Sequence, residues 1–273
     1  MQSPRPKIMG IINVTPDSFF APSRELYPDQ AVQKGLLLVE QGADILDIGG
    51  ESSRPSQVYD SKTIAVSEAD ELERVIPVIT SLAEHCSVPL SIDTIKPKVA
   101  EAAIANGVSI LNDITGFQDP EMVELAAAKP VDICVMHMQG NPQNMQLNPT
   151  YSEDIVLDLI QWFENRIERL LQKGVKEKQI IIDPGIGFGK TVAHNLKIVQ
   201  NLPRFKALGF RLLLGTSRKS FLGNIVNKKT QDLLSATLTI NSIAVLSGVD
   251  MIRVHDVAEH RDMVEVFAEY NKS

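Results

Sequence analysis

Ile180-Ile181-Ile182, followed by Asp183-Pro184-Gly185-Ile186-Gly187-Phe188-Gly189-Lys190, is the stretch on which the fold turns. Three consecutive branched apolar residues do not alternate as a half-solvated antiparallel strand would. Unbroken apolarity suits a parallel strand covered on both faces. The run then stops on a carboxylate and a glycine-rich loop. The same grammar recurs outward in both directions, with apolar runs at residues 8–12, 45–48, 90–92, 110–111, 133–136, 212–214 and 251–254. Between them, apolar residues fall about three and four apart: Ala31, Leu36, Leu38 and Val39; Leu72, Val75, Ile76 and Ile79; Val99, Ala103 and Ile104; Ile155, Leu159, Phe163, Ile167 and Leu170. That period is the one an amphipathic helix needs to pack on a sheet.

Eight strand–helix units without a Gly/Ser-rich linker, low-complexity tract or shift in composition predict a closed (β/α)8 TIM barrel, with residues 1–273 as a single domain. A doubly wound open sheet is the alternative. The two differ in where they gather chemistry. Asn13, Arg54, Asp93, Asn112, His137, Asp183, Lys219 and His255 each follow a strand; closure brings all of them to one mouth, whereas an open sheet would collect only those near its switch point.

Composition narrows the ligand. The chain is 44% hydrophobic and 22% charged, enough for a sizeable core, and its net charge of −7 argues against general affinity for nucleic acid. An anionic ligand therefore needs a dedicated pocket. Cys86 and Cys134 lie far apart with no partner at metal spacing, so idle thiols are expected. No apolar run has the length to cross a bilayer, and a cytoplasmic protein is expected.

Asp93, Asn112 with Asp113, and Asp183 close three of the apolar runs. Acceptors at such positions are costly unless hydrogen-bonded. Each could cap the following helix, but together they favour a shared ligand, such as a flat heterocycle edged with N–H donors. The loop 183–190 matches neither the dinucleotide fingerprint nor a P-loop; its glycines allow close approach to a ligand, with Phe188 offering a ring face. Gly215-Thr216-Ser217-Arg218-Lys219-Ser220-Phe221 reads as a turn opening a short helix, an anion site or a solvated basic turn. Arg253 and His255, two apart on a strand, project together as a candidate diphosphate clamp. Asn13 could hold Mg²⁺ alongside phosphate oxygens and water, or serve as a turn residue. The polar loops beginning at Asn13 and Gly49 are the candidate lids. His137 either faces the mouth or packs beneath it in a supporting role, the reading favoured here, and His85, His194 and His260 are expected to be surface or satisfied residues.

Residues 9–19, Gly49 to Pro55, Ser91 to Thr94, Asn112 to Ile114, Met136 to Gly140, Asp183 to Lys190, Ser217 to Ser220 and Arg253 to Val257, in that order, resemble the dihydropteroate synthases, a pterin-binding enzyme family. The resemblance spans nearly the whole chain. It implies condensation of 6-hydroxymethyl-7,8-dihydropterin diphosphate with 4-aminobenzoate in folate biosynthesis, and a homodimer. It implies that Asp93, Asn112, Asp183 and Lys219 hold the pterin, that Ser53, Arg54, Arg253 and His255 hold the diphosphate with Mg²⁺ near Asn13, and that Phe19, Pro55, Phe188, Lys219 and Ser220 line the aminobenzoate site. Asp93, Asp183, Lys219 and Arg253 would carry catalysis. Two departures stand out: Phe20-Ala21-Pro22-Ser23-Arg24 replaces the family's usual Asp-Gly-Gly, and Ser53 replaces the more common Thr. A pterin-binding methyltransferase barrel is the enzymatic alternative, and a non-catalytic pterin-binding module the other. The methyltransferase has no reason to keep Lys219, Ser220, Arg253 and His255 together, and the non-catalytic module would bind its ligand without turnover.

Overall fold

The computed structural model describes residues 5–15, 27–51, 66–152 and 154–272. Eight parallel strands, β1 (Lys7–Asn13), β2 (Ile45–Gly49), β3 (Leu90–Asp93), β4 (Val108–Asp113), β5 (Asp132–Met136), β6 (Ile180–Asp183), β7 (Arg211–Leu214) and β8 (Met251–Val254), pair in sequence order. β8 pairs back onto β1, with Met9 opposite Arg253 and Gly10 opposite Val254, so the sheet is a closed barrel and the open-sheet alternative is excluded. Each expected strand is present, several of them extended by a residue or two where the polar end residue stays in the ladder.

Side chains alternate across a strand, so a barrel strand has an outer and an inner set. Ile12, Leu46, Ile48, Ile92, Leu111, Val135, Ile182, Leu214 and Val254 belong to the outer core, packed under helices. Met9, Ile45, Ile110, Cys134, Ile181, Leu213 and Met251 form a separate apolar floor inside the barrel. Both faces being covered is why the runs read as continuous. On four strands the inner set changes character two residues further on, on the same face and one step nearer the mouth: Ile45 gives way to Asp47, Ile110 to Asn112, Ile181 to Asp183 and Met251 to Arg253. A polar layer thus rests on an apolar one.

Helices separate the strands, among them Glu68–His85, Pro97–Ala105, Pro120–Ala128 and Ile155–Gln172. Their starts are set locally. Ser67 accepts from the Asp70 amide at 3.1 Å, Asp119 from the Glu121 amide at 2.8 Å, and Thr191 from the His194 amide at 3.1 Å, each satisfying a first-turn donor that the helix leaves unpaired.

The loop after β6 lies hard against the loop after β5. Gly185 has φ 68°, and a Cβ there would stand 1.9 Å from the His137 carbonyl oxygen. Gly209 shares a positive φ of 89°, but a Cβ at that position would meet nothing within 4 Å. Gly209→Ala should therefore cost about 1 kcal/mol of backbone strain, while Gly185→Ala should cost several times more and displace the loop. Thermal melts of the two variants measure the difference; equal losses would show that the close approach is not enforced.

Candidate active site

The acids meet the guanidinium at the barrel axis. Arg253 on β8 donates from Nε to Asp47 Oδ2 at 2.6 Å and from Nη2 to Asp93 Oδ2 at 2.8 Å. Asn112 on β4 donates from Nδ2 to the same Asp47 oxygen at 3.2 Å. The sequence pattern assigns the acids to one part of the ligand and Arg253 to another; in the fold they interleave. Asp47 is absent from that pattern because it sits inside the run 45–48 rather than at its end. A signal for it exists, since a carboxylate amid Ile45, Leu46 and Ile48 demands a partner.

Burial and neighbouring charge set the protonation of this layer. Desolvation pushes the Asp93 carboxyl up to about 7, with Arg253 pulling it down and Asp47 adding to the rise. Asp183 is also raised by burial, against the pull of Lys219 and a 2.7 Å hydrogen bond from the Gly185 amide. Burial alone would lower Arg253, but Asp47 and Asp93 outweigh it and keep the guanidinium charged. Lys219 is brought down to about 8 by desolvation, opposed by Asp183.

Lys219 reaches in from the loop after β7. Its Nζ donates to the Ile186 carbonyl and lies 4.6 Å from the centre of the Phe188 ring, so the ammonium ties this loop to the one after β6. Arg218 beside it does something else. Held at φ 55°, it turns away to make paired bonds to Asp256, Nε to Oδ2 at 2.8 Å and Nη2 to Oδ1 at 2.7 Å. Of the two adjacent cations only Lys219 serves the mouth. Ser217 receives the His255 amide at 3.1 Å and sits 3.0 Å from its Nδ1, which docks His255 on the β7 loop. Ser220 opens the helix Ser220–Val226 beside them. Behind, Thr216 donates to Asn241 at 2.6 Å and Asn241 Nδ2 lies 2.9 Å from His260 Nε2, so His260 is a satisfied buried residue as expected.

Asp113 points to the other face and accepts from the Thr115 amide at 2.7 Å and the Phe117 amide at 3.1 Å, which holds the turn after β4; the helix that follows is capped by Asp119 instead. His137 packs beneath the mouth, its Nδ1 3.0 Å from Lys190 Nζ and its ring edge-on to Trp162 at 4.9 Å. Lys190 also donates to the carbonyls of His137 at 3.3 Å and Phe188 at 3.0 Å, a buried post joining two loops that the sequence did not single out. Asn13 stands half-buried at the rim, paired in register with Gly49. Phe19, Ser53, Arg54 and Pro55 lie outside the described residues.

The entry to the second loop is anchored by charge. Lys96, after β3, donates to Glu51 at 2.5 Å and to Glu71, while Arg74 donates to the Gly50 carbonyl at 2.9 Å.

Comparison with known proteins places these features in context. A family model described as pterin binding enzyme matches residues 9–255. Dihydropteroate synthase of Haemophilus influenzae is 39% identical over 262 residues, covering 96% of this chain and 93% of that protein. The crystal structure of Yersinia pestis dihydropteroate synthase in a sulfonamide drug complex superposes with a TM-score of 0.92 at 38% identity, covering 100% of this chain and 97% of that one. Xanthomonas albilineans dihydropteroate synthase in complex with 7,8-dihydropteroate gives a TM-score of 0.89 at 34% identity, covering 100% and 96%.

Glu71 is 1% exposed and Lys96 19%, so the pair behind the second loop is costly to break on one side only. Lys96→Met should lose about 3 kcal/mol, because it leaves a carboxylate buried without its cation. Adding Glu71→Leu should recover most of that loss. Chemical denaturation of both variants measures it, and a double variant no better than the single one would exclude the pairing as the cause.

Proposed function

The chain belongs to the pterin-binding enzymes, among the dihydropteroate synthases, and from that premise we propose how its mouth carries out the reaction. The activity is that of a transferase: 6-hydroxymethyl-7,8-dihydropterin diphosphate condenses with 4-aminobenzoate to give 7,8-dihydropteroate and diphosphate. The observation that carries our reading is the polar layer itself, in which Asp47, Asp93, Asn112, Asp183, Lys219 and Arg253 share one enclosed end of the barrel.

Asp93, Asn112 and Asp183 supply acceptors for the amino and ring N–H donors of the pterin, and Lys219 a donor for its acceptor side. As the bond from the pterin methylene to diphosphate breaks, positive charge grows on the ring above Asp93 and Asp183. These acids are in place beforehand, so their attraction costs no reorganisation. Arg253 and His255 face the departing diphosphate, with Ser53 and Arg54 assigned to it by motif. Phe188 and Ser220, with Phe19 and Pro55 by motif, receive the aminobenzoate. Its weakly basic amine meets a strong electrophile, so the displacement is dissociative and needs no strong base.

Mg²⁺ fits this site by its chemistry. Asn13 offers a neutral oxygen at the rim, and among the described residues no group of three or more His, Cys, Asp and Glu forms a protein cage. The ion would then take its remaining ligands from phosphate and water. When bound it neutralises charge on the leaving group. We also read the protein as a cytoplasmic homodimer and a sulfonamide target. Helix Leu234–Leu246 supports the dimer, since it leaves Ile243 and Leu246 exposed at one end. No helix among the described residues is long and apolar enough to cross a membrane.

Release of diphosphate from the two substrates tests the assignment; pterin binding without release would identify a non-catalytic module. Lys219→Ala should weaken both substrates and lower kcat on the order of 100-fold, whereas Arg253→Ala should act mainly on the diphosphate substrate. Equal, small effects would count against these roles. The pH profile follows from protonation. Asp93 must be ionised, so kcat/KM for the pterin substrate should fall as pH drops through about 7. Lys219 must be protonated, so it should fall again as pH rises through about 8. The two limbs belong to the coupled site rather than to either residue alone. Lys219→Arg should carry the alkaline limb upward, because a guanidinium keeps its proton; an unmoved limb would remove Lys219 from that role.

A further inference from the structure

Asp47 is fully enclosed, at 0% exposure, so a ligand entering through the mouth cannot touch it. Yet it is the residue on which two mouth groups converge. One oxygen, Oδ2, accepts from both Arg253 Nε and Asn112 Nδ2, while Oδ1 has no hydrogen-bond partner. A buried acid with an unsatisfied oxygen costs stability, and such groups call for an explanation.

The bonds to its other oxygen show what the acid does in return for that cost. A carboxylate set against a guanidinium accepts and does not donate. Asn112 must therefore turn its Nδ2 toward Asp47, which leaves its carbonyl oxygen on the opposite side as an acceptor. Were the amide to flip, two acceptors would face each other and the ligand would meet a donor. The same carboxylate takes the Nε edge of Arg253, so the guanidinium plane is fixed with Nη2 toward Asp93 and Nη1 left for another acceptor. One side chain thus sets the polarity of an amide and the plane of a guanidinium.

We propose that Asp47 is a positioning residue that fixes Asn112 as a hydrogen-bond acceptor for the pterin's N–H edge and Arg253 as a clamp oriented toward the diphosphate. This rests on the synthase reading above. It goes beyond that reading in assigning the donor–acceptor polarity of the pterin pocket to a residue that never meets the substrate.

An isosteric swap tests it. Asn112→Asp sets two carboxylates against each other and should weaken binding of 6-hydroxymethylpterin on the order of 100-fold. Adding Asp47→Asn relieves that repulsion: the amide introduced at position 47 can donate to the acid introduced at 112, whose second oxygen still accepts from the ligand, but because Oδ2 of Asp47 also takes Arg253 Nε, the amide then gives up its hold on the guanidinium. The double variant should regain at least about tenfold of the lost affinity, a coupling typical of groups in one network. Calorimetry with 6-hydroxymethylpterin, which carries no diphosphate, reads the recovery; kcat/KM for the pterin diphosphate should stay low in the double variant because Arg253 has lost its Nε acceptor, with the KM for aminobenzoate unchanged. Losses that merely add, or that strike both substrates alike, would overturn the proposal, because a purely structural acid would alter melting temperature without this recovery. If the unmodified protein binds pterin but releases no diphosphate, the synthase reading fails while the swap remains decisive for Asp47.

Discussion

The arrangement depends on one enclosed interaction, the guanidinium of Arg253 gripped between Asp47 and Asp93. Taking three charges out of water is expensive, and the attraction between them offsets that cost only when the geometry is tight and the remaining bonds are made. The barrel meets the requirement by closing in sequence order. β8 returns beside β1, and the inner faces of β2, β3 and β8 then look across the same narrow axis. The apolar floor of Met9, Ile45, Ile110, Cys134, Ile181, Leu213 and Met251 seals the polar layer from below, so the charges can be approached only from the mouth. A low-dielectric floor also strengthens every interaction above it.

Around that centre, the loops are held by a second tier of contacts that never reach the axis. Lys190 spans the loops after β5 and β6, Arg218 and Asp256 join those after β7 and β8, and Lys96 with Glu51 and Glu71 ties the entry of the loop after β2 to the start of the helix after β3. Each is a charged group used for position. The distribution has a physical logic: a site that stabilises charge in passing must not relax when the charge appears, and loops without regular hydrogen bonding need side chains to fix them.

Legibility in the sequence followed the range of the interaction involved. Ile180-Ile181-Ile182 declared a two-faced strand because its burial is a property of a few neighbouring residues, and Asp183 declared itself by ending that run. Asp47 was hidden although its composition signal was as strong, because a carboxylate inside a run is read as part of the strand. The outer position of Asp113 and the inner position of Asn112 differ by a single residue, and only alternation across the pleat separates them. Arg218 and Lys219 are likewise adjacent, and the left-handed backbone at Arg218 sends it to Asp256 while Lys219 turns to the mouth.

The sequence by itself determined the alternation of apolar runs and helical periods, the polar residues that close the runs, and through them the barrel and the family it resembles. Those patterns are legible within windows of about 11–18 residues. Only the tertiary structure decided which charges meet: Arg253 and Asp47 are 206 residues apart, and Arg253 and Asp93 160. No local pattern carries that pairing, because it exists only once the last strand has closed on the first.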